Sequence, residues 1–377
     1  MSDIDDVKMD FLLMGAPAGL RFNPALPGGL HFLDPISRVE IKLDVEGSQE
    51  NLFRPLVCRA YLSIYVRPSV VRFVSSLLVG RFESYEDMPI SLPYVKYGAT
   101  QIDANGNIAK GFGVPFEMYP PQVQSVCDTV EASLLQTVER FLRFLRWQQN
   151  IDGPHFLFEG SPSLYWRIEG DAYRHVGLRV QNSEGASPAG IEWKHDDQAD
   201  LETLWLDQAA DEPLAHELLR EAKNIAEHSP RSSFLVATSA LEVGTKAYVA
   251  HLRPETAWLL AELPAPPIHK MLRTYIPDLH TAQGTPLTYW DKLRPLFKRV
   301  EANATTRNKL THTGRVSISP ELLESHIQDI SDILYLFDVL KGHEWAKHNL
   351  SHSLRSALGW PASRRTRHRV SLRVGGI

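Results

Sequence analysis

The stretch SPELLESHIQDISDILYLFDVL, Ser319 to Leu340, decides how the C-terminal half of the chain folds. Serine followed by proline is a helix start: the hydroxyl caps amide groups that have no intrahelical partner, and proline is tolerated where no N–H bond is required. Leu322, Leu323, Ile327, Ile330, Ile333, Leu334, Phe337 and Leu340 then recur at three- and four-residue spacing, which gives one apolar face along the whole segment. Working outward, Ser229-Pro230 repeats the same signal and opens a helix to about Leu252, with Phe234, Ala237, Leu241 and Tyr248 inward. Upstream, Pro213 follows Asp211 and Glu212, and Leu214, Leu218, Ala222 and Ile225 predict a further helix. From Leu252 to Thr288 the prolines leave room only for short helices. A long helix is then predicted from about Thr288 to Thr311 through Trp290, Leu293, Phe297 and Val300, bent at Pro295.

That helix closes on Arg307-Asn308-Lys309-Leu310-Thr311-His312, with Gly314 as its stop signal. One arginine, one amide and one histidine supply a phosphate clamp, a positioning donor and a proton carrier, a set that suffices for phosphodiester cleavage without a metal. The spelling alone is weak, since an arginine and a histidine also stand close together at Arg273 and His280. At about 100° per residue, Asn308 and His312 lie about 40° apart, whereas Arg307 and His312 lie about 140° apart. They meet only if the helix loosens before Gly314, if the guanidinium arm reaches round, or if two chains share the site. The same residues also read as an arginine among carboxylates and a histidine favoured by the helix dipole in a last turn.

The order of these helices, with Ser239-Ala240-Leu241-Glu242-Val243-Gly244-Thr245-Lys246 on the second and Arg307 to His312 closing the third, resembles the HEPN family over residues 200–348. Many members of that family are RNases of toxin and antiphage systems. The resemblance implies a helical bundle that dimerises with facing motifs, with Arg307 and His312 catalytic, Asn308 assisting, and Glu242 as an acidic residue from a neighbouring helix. Glu242 also stands one turn from Lys246, a spacing that equally makes a helix-surface ion pair. The implied chemistry is attack by the RNA 2′-hydroxyl, with Arg307 on the phosphate oxygens and His312 moving the proton, to leave a 2′,3′-cyclic phosphate. Lys309 and Lys246 read as RNA contacts. No cofactor or metal is expected; the expected partners are RNA, a second copy of the chain and a phage-derived trigger or antitoxin. The alternative is an inactive bundle of the same family acting as a dimerisation or RNA-docking scaffold.

The first half carries the other periodicity. Val39, Ile41, Leu43 and Val45 alternate with Glu40, Lys42 and Asp44, and Tyr61, Ser63 and Tyr65 interleave with Leu62, Ile64 and Val66, as strands do. Asn105-Gly106 between Gln101-Ile102 and Ile108 predicts a hairpin, and Leu164–Ile168 with Tyr173–Val180 a later strand pair. A long amphipathic helix is predicted over Gln122–Gln148. Arg140, Arg143 and Arg146 give it a basic end beside Phe144 and Trp147, readable as an RNA-binding stripe or as solvated arginines over a sheet. The fold class is therefore α+β, with a β-rich recognition or sensor domain over 1–185, a linker over 186–200, the helical bundle over 201–350 and a basic tail over 351–377.

Composition sets the bounds. With 377 residues, 43% hydrophobic and 23% charged, the chain is long enough for two packed domains. Two cysteines make neither a disulfide framework nor a cysteine zinc site, so a reducing cytoplasm is the expected compartment, and no segment is apolar enough to span a membrane. The net charge of −5 is uneven: residues 354–377 hold Arg355, Arg364, Arg365, Arg367, Arg369 and Arg373 and no acid, so this segment carries +6 against −11 for the remainder. Such a tail suits RNA phosphates, a soluble terminus, or a short strand of Val370, Leu372 and Val374. There is no Walker loop, G-x-G-x-x-G, G-x-S-x-G or H-E-x-x-H. His348 and His352, at helical spacing beside Glu344, lack a convincing third metal ligand.

Overall fold

A strand of the N-terminus, β1 (Val7–Gly15), lies at the centre of a six-stranded antiparallel sheet. The structure is a computed structural model that describes residues 6–18, 20–22, 29–45, 54–79, 101–102, 108–110, 116, 119–153, 156–176, 189–191, 195–207, 210–262, 267–313 and 316–361. Met9 to Leu13 are buried without a break, so β1 shows a run and not an alternation in its sequence. It pairs on one side with β5 (Arg54–Val66; Phe11 opposite Leu62) and on the other with β8 (Ser163–Ile168; Phe11 opposite Trp166). Beyond β5 come β4 (Glu40–Val45) and β3 (Leu30–Leu33), and beyond β8 comes β9 (Arg174–His175). Between β1 and β5 in the chain stands the short β2 (Leu20–Phe22), and α1 (Pro68–Val79) follows β5. Strands β6 (Gln101–Ile102) and β7 (Ile108–Lys110) form the expected hairpin pair, while its Asn105-Gly106 turn lies outside the described residues.

The chain divides into two compact units, residues 1–18, 24–142 and 157–186, and residues 19–23, 143–156 and 187–377. The sheet β3-β4-β5-β1-β8-β9 belongs to the first. Helix α2 (Pro121–Gln149) contributes its first part to that unit, where Phe141 meets Phe32 at 5.0 Å between ring centroids. Val123, Val130, Leu134 and Val138 are buried on the same helix, and Tyr119 stacks on Trp166 at 5.7 Å. Cys58 and Cys127 are buried free thiols, and burial pushes the Cys58 thiol up to about 12.

In the second unit, β10 (Ala189–Ile191) runs parallel to β2, with Gly190 opposite Arg21. Helix α3 (His195–Leu206) buries Leu201, Leu204 and Trp205, so the stretch expected as a linker holds a strand and a helix start. Helices α4 (Leu214–Ile225) and α5 (Pro230–Leu252) form an antiparallel pair, crossed by α10 (Pro320–Leu340), and α9 (Arg294–Thr313) packs on α5 and α10. Gly244 makes that packing possible: a Cβ there would stand 2.2 Å from Leu334 and 3.1 Å from Ala215. Between α5 and α9 lie α6 (Ala257–Glu262), α7 (Ile268–Lys270), a π-turn (Met271–Tyr275) and α8 (Ile276–Ala282), short as the prolines require. The unit closes with a 3-10 turn (Glu344–Asn349) and α11 (His352–Leu358), capped by Ser351 on the Leu354 amide.

Three expectations are corrected by these elements. The helix expected from about Thr288 is in two parts, a 3-10 turn over Trp290–Leu293 and an α-helix from Arg294, and Pro295 stands in the first turn of the second part, directly after the change. On α4 the buried residues are Ala215, His216, Leu219 and Ala222, whereas Leu214 is 56% exposed, because polar His216 occupies the inward stripe. His348 and His352 fall on the 3-10 turn and on α11, not on one helix. Part of the basic tail, 352–358, is helical with Arg355 buried; Gly314 and residues 362–377 lie outside the described residues. No described helix is long and apolar enough to cross a membrane.

Candidate functional site

Helix α9 is tied down along one face. A 3-10 turn, Trp290–Leu293, feeds it, anchored by the Trp290 indole N–H on the Leu272 carbonyl at 2.7 Å. Leu293, Leu296, Phe297, Val300, Asn303 and Leu310 are buried. Three rungs then join α9 to antiparallel α10. Arg299 donates through Nε and Nη2 to the two carboxylate oxygens of Asp329, at 2.8 and 2.7 Å. One turn on, Asn303 meets His326 at 2.9 Å, and beyond that Leu310 joins Phe234, Ile318 and Leu323 in an apolar cluster.

The His326 rung fixes a tautomer. Thr238 gives its hydroxyl proton to the Phe234 carbonyl at 2.8 Å, so its oxygen accepts from His326 Nε2 at 3.0 Å, and His326 Nδ1 accepts from the Asn303 amide. A second ring proton would face an N–H donor. With burial the first cause, the imidazole is driven down to about 4 and is neutral at pH 7.

Arg307, Asn308 and His312 occupy what remains of α9. Arg307 continues the inward spacing 300, 303, 307, 310 but is half-buried, and its Nη1 reaches outward to Asn308 Oδ1 at 3.2 Å. Asn308, Lys309 and His312 are exposed, and His312 makes no hydrogen bond or ion pair with any described residue. Thr311, by contrast, returns its hydroxyl to the Arg307 and Asn308 carbonyls, and the α-helix runs on past the histidine to Thr313. The structure therefore brings Arg307 to Asn308 and does not bring either arginine or histidine to the other.

Glu242 is engaged elsewhere: Lys246, one turn along α5, holds it at 2.9 Å, and neither Arg307 nor His312 contacts it. The basic end of α2 is not an open stripe. Arg146 is 1% exposed, donates to the Phe156 carbonyl at 3.1 Å and is pulled down to about 9 by burial and then by Arg220. Arg143 is half-buried, and Arg140 stands 3.9 Å from Asp34. Arg146 is thus corrected from an exposed RNA contact to an interior cation.

Around it lies a polar cluster that sequence reasoning missed. Asp338, in the apolar run of α10, takes His216 Nε2 at 2.8 Å and the Trp147 indole N–H at 3.0 Å, while Tyr335 donates to the Trp147 carbonyl at 2.9 Å. Beside them Arg220 pairs with Glu212, and Lys223 with Asp152 at 2.7 Å. The cleft among these side chains has room of about 10 Å³, one water, and the buried Asn150 Nδ2 and Glu212 Oε2 atoms have no described partner. The available signal was Asp338 itself, a carboxylate inside an apolar stripe that requires a buried donor.

Among the described residues no three His, Cys, Asp or Glu side chains are grouped to hold a metal ion. Comparison of the chain with family models, with curated proteins and with solved structures finds no match.

Proposed function

We propose that the second unit is a HEPN-like bundle acting as a metal-independent endoribonuclease, in antiphage defence or a toxin–antitoxin system, with the first unit recognising the trigger. One observation carries this reading. Arg299 and Asn303 of α9 each have a partner on α10, whereas Arg307, half-buried further along the same stripe, reaches only Asn308, and Asn308 and His312 are exposed, His312 with no partner among the described residues; these three are the residues whose chemistry fits phosphodiester cleavage. Arg307 would hold the non-bridging oxygens, Asn308 would fix the guanidinium or the phosphate, and His312 would accept the 2′ proton or protonate the leaving 5′ oxygen. Because Arg307 and His312 do not meet on one intact helix, the working pair combines one protomer's arginine with its partner's histidine across a twofold axis.

Incubating the purified chain with total RNA in excess chelator tests the reading. New ends should carry a 2′,3′-cyclic phosphate and a 5′-hydroxyl, and a 2′-deoxy residue at the scissile position should resist; a divalent-dependent reaction, or a 3′-hydroxyl product, overturns it. Mixing Arg307→Ala with His312→Ala chains should regain part of the activity if the pair is shared. The second reading, an inactive scaffold that docks RNA, is favoured by the closed Glu242–Lys246 pair, and it predicts RNA binding with no new ends.

A further inference from the structure

The end of α2, residues 143–149, belongs to the second unit although it stands in the first half of the chain. A helix leaves its last four carbonyls without an intrahelical partner, so the groups that satisfy them show what the helix end is built against. The Arg146 carbonyl accepts the Ile151 N–H at 3.0 Å across Asn150, whose φ of 49° is the left-handed turn of a helix stop. The next two carbonyls are answered from far along the chain. Tyr335 of α10 donates to the Trp147 carbonyl at 2.9 Å, and Asn349, closing the 3-10 turn Glu344–Asn349, donates to the Gln148 carbonyl at 2.9 Å. Lys223 of α4 stands at the same end, 3.1 Å from Asn150 Oδ1 and 2.7 Å from Asp152, where a cation suits the negative pole of the helix. The same surface also takes one side chain. The Trp147 indole lies perpendicular to Trp345 at 5.1 Å and to His343 at 5.3 Å, 6.0 Å from His216, and gives its N–H to Asp338. Phe144, Leu145 and Ile151 are buried with it.

We infer that the face formed by α4, the end of α10 and the 3-10 turn is a receptor for a helix C-terminus bearing tryptophan, occupied in this chain by α2, and that it holds that end without need of the peptide link to it. Each part has a physical reason. The carbonyls give the general part of the contact, since any helix end presents them. Trp147 gives the specific part: an indole carries one donor on a large apolar ring, so a carboxylate in an aromatic recess selects it over phenylalanine, which has no donor. A cut between the halves of the chain therefore leaves them joined and does not release a free helical bundle. The receptor uses neither Arg307 nor His312 and stands whether or not they cut RNA.

A full-length chain with a specific protease site inserted between Glu184 and Gly185, which lie outside the described residues, tests the assignment. After cutting, the halves should co-elute one to one on gel filtration at micromolar concentration, and dilution of a fluorescently labelled N-terminal half gives their dissociation constant. Trp147→Phe keeps a ring and removes the donor; Tyr335→Phe removes the hydroxyl on the Trp147 carbonyl. Each should weaken the pair about tenfold, the usual consequence of stranding a buried hydrogen-bond partner. Trp147→Ala should weaken it further, because the ring is lost as well. A thermal melt of each uncut variant confirms its fold. Halves carrying Arg307→Ala should bind as the parent halves do, so loss of RNA cleavage and loss of this contact are told apart. Separation of the cut parent halves at micromolar concentration overturns the proposal. So does an unchanged dissociation constant in folded Trp147→Phe and Tyr335→Phe chains, which would mean that other contacts hold the halves together.

Discussion

The two halves of α9 differ in what their polar groups do. In its first half Arg299 and Asn303 each end on a residue of α10, and the histidine they flank, His326, has both ring nitrogens engaged and is held neutral. In its last two turns Arg307 reaches only the adjacent Asn308, and His312 has no described partner. The same residue types are therefore tied to a neighbouring helix in one half of α9 and without such a tie in the other. Partnership, not residue type, separates them.

The comparison breaks first at His312. His312→Ala and Arg307→Ala should each lower RNA cleavage by roughly 10²–10⁴-fold, the usual worth of a positioned proton carrier, while urea midpoints stay at the parent value. Retained cleavage in either variant removes the last turns of α9 from the chemistry. Inside the unit the reverse holds. Asp338→Ala strands the His216 and Trp147 donors and should cost about 3 kcal/mol in urea denaturation, whereas Asp338→Asn, which keeps an acceptor, should cost less.

A third measurement separates the histidines by pH. His326 titrates near its ordinary value when unfolded and near 4 when folded, so the unfolded chain binds more protons between those values. Its contribution is complete above the unfolded value and is lost as pH falls toward 4, by about 2 kcal/mol at pH 5. Urea midpoints at pH 7 and pH 5 should therefore converge in His326→Gln relative to the parent. Equal pH dependence in the two chains would contradict the assigned tautomer. Gly244→Ala comes next: a methyl against Leu334 and Ala215 should cost about 1–2 kcal/mol, less than the overlap suggests because Leu334 can turn and alanine favours helix.

The parts of this fold legible in the sequence are those whose signal is local. The Ser-Pro starts and apolar stripes place α5 and α10 to within a residue or two, and the alternation Ile41, Leu43 places β4. What escapes is whatever depends on a distant partner. His216 looks like a surface residue until Asp338, from the other end of the unit, draws it inward and rotates the buried face of α4. Arg146 looks like an RNA contact until the turn after α2 supplies the Phe156 carbonyl. β1 escapes for the opposite reason: buried on both faces, it has no alternation to read. For the α9 site the sequence gives the residues and the 140° divergence; the exposure of His312 and the engagement of Glu242 require the packed helices.

The smallest expected effect concerns the outer-face lysine. Lys309 is exposed beside Asn308, and as a phosphate contact it would act as a point charge without base preference. Lys309→Ala should weaken RNA binding only a few-fold, equally for different sequences, and lower the slope of log affinity against log salt by about 1. Lys246 differs because its charge is committed to Glu242 at 2.9 Å, so Lys246→Ala should change that slope by less. Fluorescence anisotropy of a 2′-O-methyl RNA at two salt concentrations measures both. If Lys246→Ala moves the slope as much as Lys309→Ala does, the ion pair opens to RNA, and Glu242 returns as a group free to reach the site.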